Sequence, residues 1–106
     1  MLIQAAAGGV GHIAAQLAKS LGATVYGTAS TRNLDFLRQI GVDYPIDYTT
    51  TDFEDVAQDV DVVFDSLGGE VQDRCWYTLK RGGILLSIVQ APAQERQTSS
   101  VAQGIW

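Results

Sequence analysis

The chain has 106 residues, of which 46% are hydrophobic and 18% charged, and its formal net charge is −5. This length suits one globular domain and is short for an enzyme that also builds a separate substrate pocket. The 7 basic residues form no long run, which argues against nucleic acid as a partner. One cysteine and one histidine provide neither a disulfide nor a four-ligand metal site.

No apolar run approaches the ~20 residues that span a bilayer, and no basic segment with a secretory core opens the chain. We therefore expect no membrane partner and a cytoplasmic location. The first apolar run begins at Leu2 with nothing ahead of it. That start indicates a piece of a longer protein.

Short apolar runs alternate with stretches of helical period along residues 1–90. This alternation predicts an α/β fold of the Rossmann type, a doubly wound parallel sheet with helices on both faces. Five strands are expected, over residues 2–5, 24–28, 44–48, 60–65 and 84–89. Residues 91–106 are polar and aperiodic, which predicts an irregular tail, truncated before a sixth strand or reduced to its first residues.

The first helix is predicted between the first two strands, ending near Gly22. Six apolar residues there follow a 3.6-residue period, and we expect them to face the core: Val10, Ile13, Ala14, Leu17, Ala18 and Leu21.

Three further helices are predicted. The second covers about residues 32–40, with Ser30 or Thr31 as its N-cap and Gly41 at its end. A short third helix is placed near residues 51–57. The fourth, over about 71–79, is expected to bury one face and then to be followed by basic residues and a glycine turn: Val71, Cys75, Trp76 and Leu79, then Lys80, Arg81, Gly82 and Gly83.

A glycine cluster joins the first strand to the first helix. Such a junction directs free backbone amides and the positive end of the helix dipole at one point, where an anion fits. Ala6, Gly8 and Gly11 occupy the three positions of the GxGxxG fingerprint, with alanine in the first. We predict a pyrophosphate site formed by Ala7, Gly8, Gly9, Val10 and Gly11. A plain tight turn between packed elements is the alternative.

The end of the second strand indicates which cofactor is bound. An NAD site places an acid here, but no acid lies between Val25 and Leu34. Hydroxyl donors and a guanidinium suit a 2′-phosphate instead, which favours NADP(H). The residues predicted to contribute are Thr28, Ser30, Thr31 and Arg32. In the alternative interpretation, Ser30 only caps the helix and Arg32 is solvated.

Ligands of open α/β sheets bind outside the carboxyl ends of the strands, which adds a second group of candidates. Tyr48, after the third strand, is predicted to contact the adenosine or the 2′-phosphate. The ribose and nicotinamide side is assigned to Leu67, Gly68, Ser87, Ile88 and Val89. Packing is the alternative for each of them.

No catalytic residue and no metal site are predicted. His12 is assigned to the first turn of its helix, and Cys75 to a buried helix face. No histidine is paired with that cysteine, as a nucleophile would require.

Several segments together resemble the cofactor-binding domain of the medium-chain dehydrogenase/reductase superfamily, most closely its zinc-independent quinone oxidoreductase branch: "AAAGGVGHIAAQLAKSLGATVYGTAS", "STRN", "PIDYT", "VFDSLGG" and "LKRGGILLSI". The resemblance implies sheet order 3-2-1-4-5-6 and NADPH reduction of quinones or other activated carbonyls and alkenes. It places the pyrophosphate turn at Gly8 to Gly11. The 2′-phosphate contacts fall at Ser30, at Tyr48 and at Arg32, where the family usually has lysine.

The resemblance also implies a catalytic domain, absent from this sequence, that holds the small-molecule substrate. Two other functions stay open: a non-catalytic nucleotide-binding module or degenerate fragment, and an S-adenosylmethionine methyltransferase, which usually needs an acid after the second strand. Without a sixth strand, residues 84–89 would form an open edge. We therefore expect self-association through that edge.

Overall fold

The computed structural model describes residues 1–89 and 103–105. Its strands form one parallel sheet in the order β3-β2-β1-β4-β5-β6. They are β1 (Leu2–Ile3), β2 (Tyr26–Ala29), β3 (Tyr44–Asp47), β4 (Val60–Asp65), β5 (Leu79–Ser87) and β6 (Gln103–Ile105). The helices are α1 (Gly9–Ser20), α2 (Leu34–Gln39), α3 (Phe53–Val56) and α4 (Gly69–Cys75).

The helices cover both faces of the sheet, and each face has its own buried core. Ala15 of α1 and Leu37 of α2 belong to one buried cluster. Phe53 of α3 and Cys75 of α4 belong to the other. The predicted doubly wound α/β fold and the order 3-2-1-4-5 are confirmed. The order reverses between β1 and β4, which is where such sheets bind ligands at the carboxyl ends of their strands.

Glycines end the first two helices as predicted. Gly22 follows α1 with φ of 87°, and Gly41 follows α2 with φ of 93°. Both angles lie in the left-handed region that glycine occupies at low cost. Ser30 is the N-cap of a short 3₁₀ turn, Thr31–Asn33, that leads into α2.

The boundary between α4 and β5 differs from the prediction. The helix ends at Cys75, and β5 already begins at Leu79, so Lys80 and Arg81 lie in the strand and not behind a longer helix. Gly82 has φ of 79°, and the pairing with β4 shifts register opposite this point. The glycine pair therefore forms an irregularity within a long strand, where the sequence suggested a turn before a short one.

The sixth strand overturns the expectation of an open edge. Ile84 and Leu86 of β5 pair with Gln103 and Ile105 of β6. The predicted self-association through residues 84–89 therefore loses its physical basis over this paired stretch. The other residues of the predicted tail, 91–102 and 106, lie outside the described residues.

The buried face of α1 is also not the predicted one. Of the six residues expected in the core, four are exposed to between 55% and 79%: Val10, Ile13, Leu17 and Leu21. Of the other two, Ala18 is buried as predicted and Ala14 is partly buried against the same core. The helix packs through Gly11, Ala15 and Ala18, which are all small. A β-carbon on Gly11 would lie 2.2 Å from the carbonyl oxygen of Ala5. Because the helix lies so close to the strand, only small side chains fit between them.

This packing predicts that substitutions at two nearby positions of α1 change the free energy of unfolding by very different amounts. Ala15→Leu forces a large side chain into the buried face and should lower the free energy of unfolding by about 1–3 kcal/mol. Leu17→Gln changes an exposed side chain and should alter it by less than about 0.5 kcal/mol. Urea denaturation followed by circular dichroism measures both. A larger loss for Leu17→Gln would show that the stripe predicted from the sequence is the buried one.

A second pair of variants tests the close approach at the start of α1. Gly11→Ala should lower the free energy of unfolding by at least about 2 kcal/mol, because the added methyl meets rigid backbone. A β-carbon on Gly9 meets nothing within 4 Å, so Gly9→Ala serves as the matched control and should stay within about 0.5 kcal/mol of the parent. Equal stabilities in urea would contradict the close packing.

Candidate functional site

The turn between β1 and α1 has three backbone amides at its centre that find no backbone acceptor among the described residues. The amide of Gly8 donates to the carbonyl of Ala5 at 3.0 Å, and that of His12 donates to the carbonyl of Gly8, also at 3.0 Å. The amides of Gly9, Val10 and Gly11 lie between these two, in the first turn, where a helix offers no acceptor. They lie at the positive end of a 12-residue helix, where an anion is stabilised.

The glycines of this turn have two different roles. Gly11 allows the helix to approach the strand, whereas a β-carbon on Gly9 would extend into open space. Alanine is tolerated at the first fingerprint position because Gly27 of β2 lies opposite it: a β-carbon on Gly27 would lie 2.9 Å from that of Ala6. The motif is therefore tightly packed against β1 at Gly11 and open at Gly9.

A cavity of about 230 Å³ adjoins the glycine turn, and we call it the glycine-turn cavity. Its walls bring together four predicted site residues, Ala7, Gly8, Ser30 and Tyr48, with three that were not predicted, Ala5, Ala29 and Asn33. Of these three, Asn33 carries a polar side chain, whose Nδ2 donates to the Ser30 hydroxyl at 3.3 Å. Its position three residues after Ser30 could have indicated this contact, since such residues share a helix face. Arg32 is exposed and does not line the cavity, so its predicted role remains a prediction.

The hydroxyl of Thr31 is hydrogen-bonded to the carboxylate of Asp47. It donates to Oδ2 of Asp47 at 2.5 Å, while Oδ1 accepts from the amide and hydroxyl of Thr49 at 2.9 and 2.6 Å. The bonds from Thr31, and then those from Thr49, hold the pKa of Asp47 below its ordinary value. In contrast to the expectation from the sequence, Thr31 therefore has no proton to donate to a phosphate in this arrangement. An acid does lie close to the end of β2, but β3 supplies it.

A second cavity, of about 320 Å³, lies on the other side of Ala5 and Tyr48, and we call it the apolar cavity. Its lining is mostly apolar and includes three predicted site residues, Thr28, Tyr48 and Leu67: Gln4, Ala5, Thr28, Tyr48, Phe53, Leu67, Val71 and Arg74. The exposed ring of Tyr48 belongs to both cavities. A flat, uncharged group such as a purine fits walls of this kind.

Buried polar groups at the base of the apolar cavity fix the start of the glycine turn. Thr28 Oγ1 donates to Gln4 Oε1 at 2.7 Å and accepts the amide of Ala5 at 3.0 Å. Ala5 has φ of 51°, a rare conformation for a residue with a side chain. Thr28 therefore positions the backbone of the turn, and its hydroxyl proton is not available to a cofactor.

An ion pair closes the far wall of the apolar cavity. The guanidinium of Arg74 donates to both carboxylate oxygens of Glu54, at 2.8 and 2.6 Å, and lies 4.7 Å from the centre of the Phe53 ring. The bond from Arg74 lowers the pKa of the Glu54 carboxyl. The pair joins α4 to α3 and keeps the side chain of Arg74 in place.

The residues predicted at the ends of β4 and β5 lie at the same edge of the sheet. Gly68 is buried with φ of 69°, and Ser87 is 1% exposed, with its hydroxyl donating to Asp65 at 3.0 Å. Ile88 and Val89 are about half exposed beyond the end of β5. Gly68 and Ser87 therefore shape the backbone at this edge, and the side chains of Ile88 and Val89 are accessible beside them.

His12 and Cys75 occupy the positions predicted for them. His12 lies in the first turn of α1, with Nδ1 2.8 Å from the carbonyl oxygen of Gly8. Cys75 is fully buried in the core, and burial raises the pKa of its thiol to about 12, so it stays protonated. Within residues 1–89 and 103–105, no group of three metal-ligating side chains is found. No helix in this part of the chain is long and apolar enough to cross a membrane.

Comparison with known proteins identifies the family. The sequence profile of the zinc-binding dehydrogenases matches residues 9–103. The synaptic vesicle membrane protein VAT-1 of Tetronarce californica is 38% identical over 100% of this chain and 30% of its own length. The NADPH-dependent alkenal/one oxidoreductase of Arabidopsis thaliana chloroplasts is 41% identical over 86% of this chain and 24% of its own length.

A solved structure shows the same fold. The Escherichia coli quinone oxidoreductase, in a complex with NADPH, is 29% identical and superposes with a TM-score of 0.85 over 97% of this chain and 36% of that one. The chain thus spans about a third or less of the proteins it resembles. It belongs to the zinc-binding dehydrogenase family, in the NADPH-type branch of the medium-chain dehydrogenase/reductase superfamily.

Proposed function

We propose that this chain is the NADP(H)-binding domain of an oxidoreductase, and that its parent protein transfers hydride to a quinone or a related activated carbonyl or alkene. The observation that carries the proposal is the cradle of free amides at Gly9 to Gly11, flanked by two cavities at the carboxyl edge of the sheet. The relatives named above, an alkenal/one oxidoreductase and a quinone oxidoreductase, support the substrate class.

The residues present fit such a cofactor along its whole length. The pyrophosphate would lie on the amides of the first turn, where Gly9 leaves open space. The adenine would lie in the apolar cavity, between Tyr48 and Leu67. The nicotinamide would lie towards Ile88 and Val89, on the side of β5. When bound, the cofactor supplies the hydride, and the protein's part is to bind and orient it.

The 2′-phosphate would lie at the mouth of the glycine-turn cavity. Ser30, Asn33 and Tyr48 carry hydrogen-bonding groups there. Because Asp47 brings a negative charge to the neighbouring Thr31, a positive charge is needed to favour NADPH over NADH. We propose that Arg32 supplies it, since its guanidinium pairs well with phosphate.

The described residues contain no candidate acid/base set, so we propose that the substrate and any proton donor are held by a part of the parent protein beyond this sequence. Zinc independence is likewise a proposal, and it rests on the resemblance to the quinone oxidoreductase branch. Restoring the longer parent protein should give NADPH oxidation in the presence of a quinone. A parent that binds NADPH but oxidises none with quinones, enals or enones would support the non-catalytic module instead.

Calorimetric titration of this chain with NADPH and with NADH tests the binding site. NADPH should bind more tightly, and Arg32→Ala should weaken NADPH about 10-fold, towards the affinity for NADH, because one charge-assisted contact is lost. Arg38→Ala is the matched control. It removes the same charge from α2, where the guanidinium pairs with Asp35 at 2.7 Å, and should change the affinity less than about 2-fold.

The outcomes separate the alternatives for the glycine motif. Gly9→Ala should weaken both nucleotides while the protein stays folded, since its methyl would intrude where the phosphates lie. No heat with either nucleotide, from a folded chain, would show that the motif is only a turn here or needs the remainder of the parent. Equal affinities for NADPH and NADH, unchanged in Arg32→Ala, would refute the 2′-phosphate site.

A further inference from the structure

Asp65, the last residue of β4, has a fully buried side chain. None of the ion pairs found within the described residues involves it. A buried carboxylate without a cation is costly unless hydrogen bonds replace the lost water. At the edge where the cofactor is proposed to bind, Asp65 therefore needs hydrogen-bond donors around both of its carboxylate oxygens.

Neutral donors from three segments surround this carboxylate. Oδ1 accepts the amides of Leu67 and Gly68, both at 2.9 Å. Oδ2 accepts Nε2 of Gln72 and the hydroxyl of Ser87, both at 3.0 Å. Only a carboxylate has acceptor capacity at both of its oxygens, whereas an asparagine would turn an NH₂ group towards two of these donors.

The network continues into the backbone that leaves β5. The Ser87 hydroxyl, which donates to Asp65, accepts the amide of Val89 at 3.3 Å. The amide of Ile88 donates to the backbone carbonyl of Asp65 at 3.1 Å. The direction of residues 87–89 is therefore set from Asp65, and the half-exposed side chains of Ile88 and Val89 follow from it.

The strand order places this segment away from the adenosine side of the site. The glycine-turn cavity is lined from the ends of β1, β2 and β3, and the apolar cavity extends to Leu67 after β4. β5 lies beyond β4 in the sheet, and residues 87–89 line neither cavity. We infer that Asp65 is a positioning residue for the nicotinamide half of the cofactor, acting through Ser87 on residues 88 and 89. This inference rests on the proposed function.

Two ligands that share one half test the inference on this chain. NADPH and adenosine 2′,5′-bisphosphate both carry the 2′-phosphoadenosine, but only NADPH carries a nicotinamide. Ser87→Ala removes the hydroxyl that joins Asp65 to Val89, and Asp65→Asn removes the carboxylate itself. Ser87→Ala should weaken NADPH about 10-fold, as expected for a lost hydrogen bond at a buried site, and change the bisphosphate less than about 2-fold. Asp65→Asn also weakens or loses the bonds to the amides of Leu67 and Gly68, and Leu67 lines the apolar cavity, so this variant should weaken NADPH at least as much and the bisphosphate as well.

A matched control separates positioning from stability. Thr78 also has a fully buried hydroxyl, which donates to the carbonyl of Cys75 at 2.6 Å, but it precedes β5 at the opposite edge of the sheet. Thr78→Val should lower the melting temperature and leave the ratio of the two affinities unchanged. If Asp65→Asn does not fold, Ser87→Ala decides the question, because it leaves Asp65 its other three donors.

Four results would overturn the inference. Parallel weakening of both ligands in Ser87→Ala would show a general structural role, and unchanged NADPH affinity would show none. Equal affinities of the unaltered chain for NADPH and the bisphosphate would show that the nicotinamide half makes no contact, while leaving the proposed nucleotide site intact. If the unaltered, folded chain binds neither ligand, it has no nucleotide site of its own, and the inference for this chain fails together with that site.

Discussion

The contact between α1 and β1 at Gly11 is the constraint on which the rest of the site depends. There is no room for a β-carbon between the helix and the carbonyl of Ala5. This distance fixes the point where the helix begins, and so the place where its free amides converge. It also determines which side of the helix is buried, because the small residues Gly11, Ala15 and Ala18 can face the sheet at that separation and larger side chains cannot.

Polar groups buried beneath the turn maintain this geometry. The hydrogen bonds of Gln4 and Thr28 hold Ala5 in its left-handed conformation. Asp65 likewise fixes the turn after β4 by accepting its backbone amides. A binding edge built on satisfied buried bonds is already shaped before a ligand arrives, which reduces the entropy lost on binding. The two turns meet at the point where the strand order reverses, so these buried hydrogen bonds lie directly beneath the proposed binding edge.

Local signals in the sequence were enough to predict most of the fold. The short apolar runs, the helix-ending glycines Gly22 and Gly41, and the glycine turn between β1 and α1 each depend on neighbouring residues, and the structure confirms them as elements of the fold. The face of α1 could not be predicted in the same way. Its periodicity fits a stripe of large side chains as well as a stripe of small ones, and the choice depends on a distance to β1 that no local pattern records. The start of β5 was misjudged because Gly82 and Gly83 resemble a turn.

The site was predicted less completely, for a related reason. Residues that follow one another along the chain, such as Ala7, Gly8 and Ser30, were found from motifs, and they do line one cavity. Asp47 was missed because it reaches Thr31 from β3, the neighbour of β2 in parallel register. Gln4 was missed because the partner that gives it a role, Thr28, lies on the neighbouring strand β2. Parallel pairing brings together residues about 20 positions apart, so a search of each segment by itself overlooks them.

The contact between Ala6 and Gly27 links the fingerprint motif to a strand that carries none of it. The methyl of Ala6 occupies the space that a side chain at position 27 would need. Exchanging the two residue types, with glycine at 6 and alanine at 27, would preserve the volume that the pair fills. The residue types at positions 6 and 27 should therefore vary together. A search pattern for this motif should accept alanine at its first position when glycine occupies the facing position in the second strand.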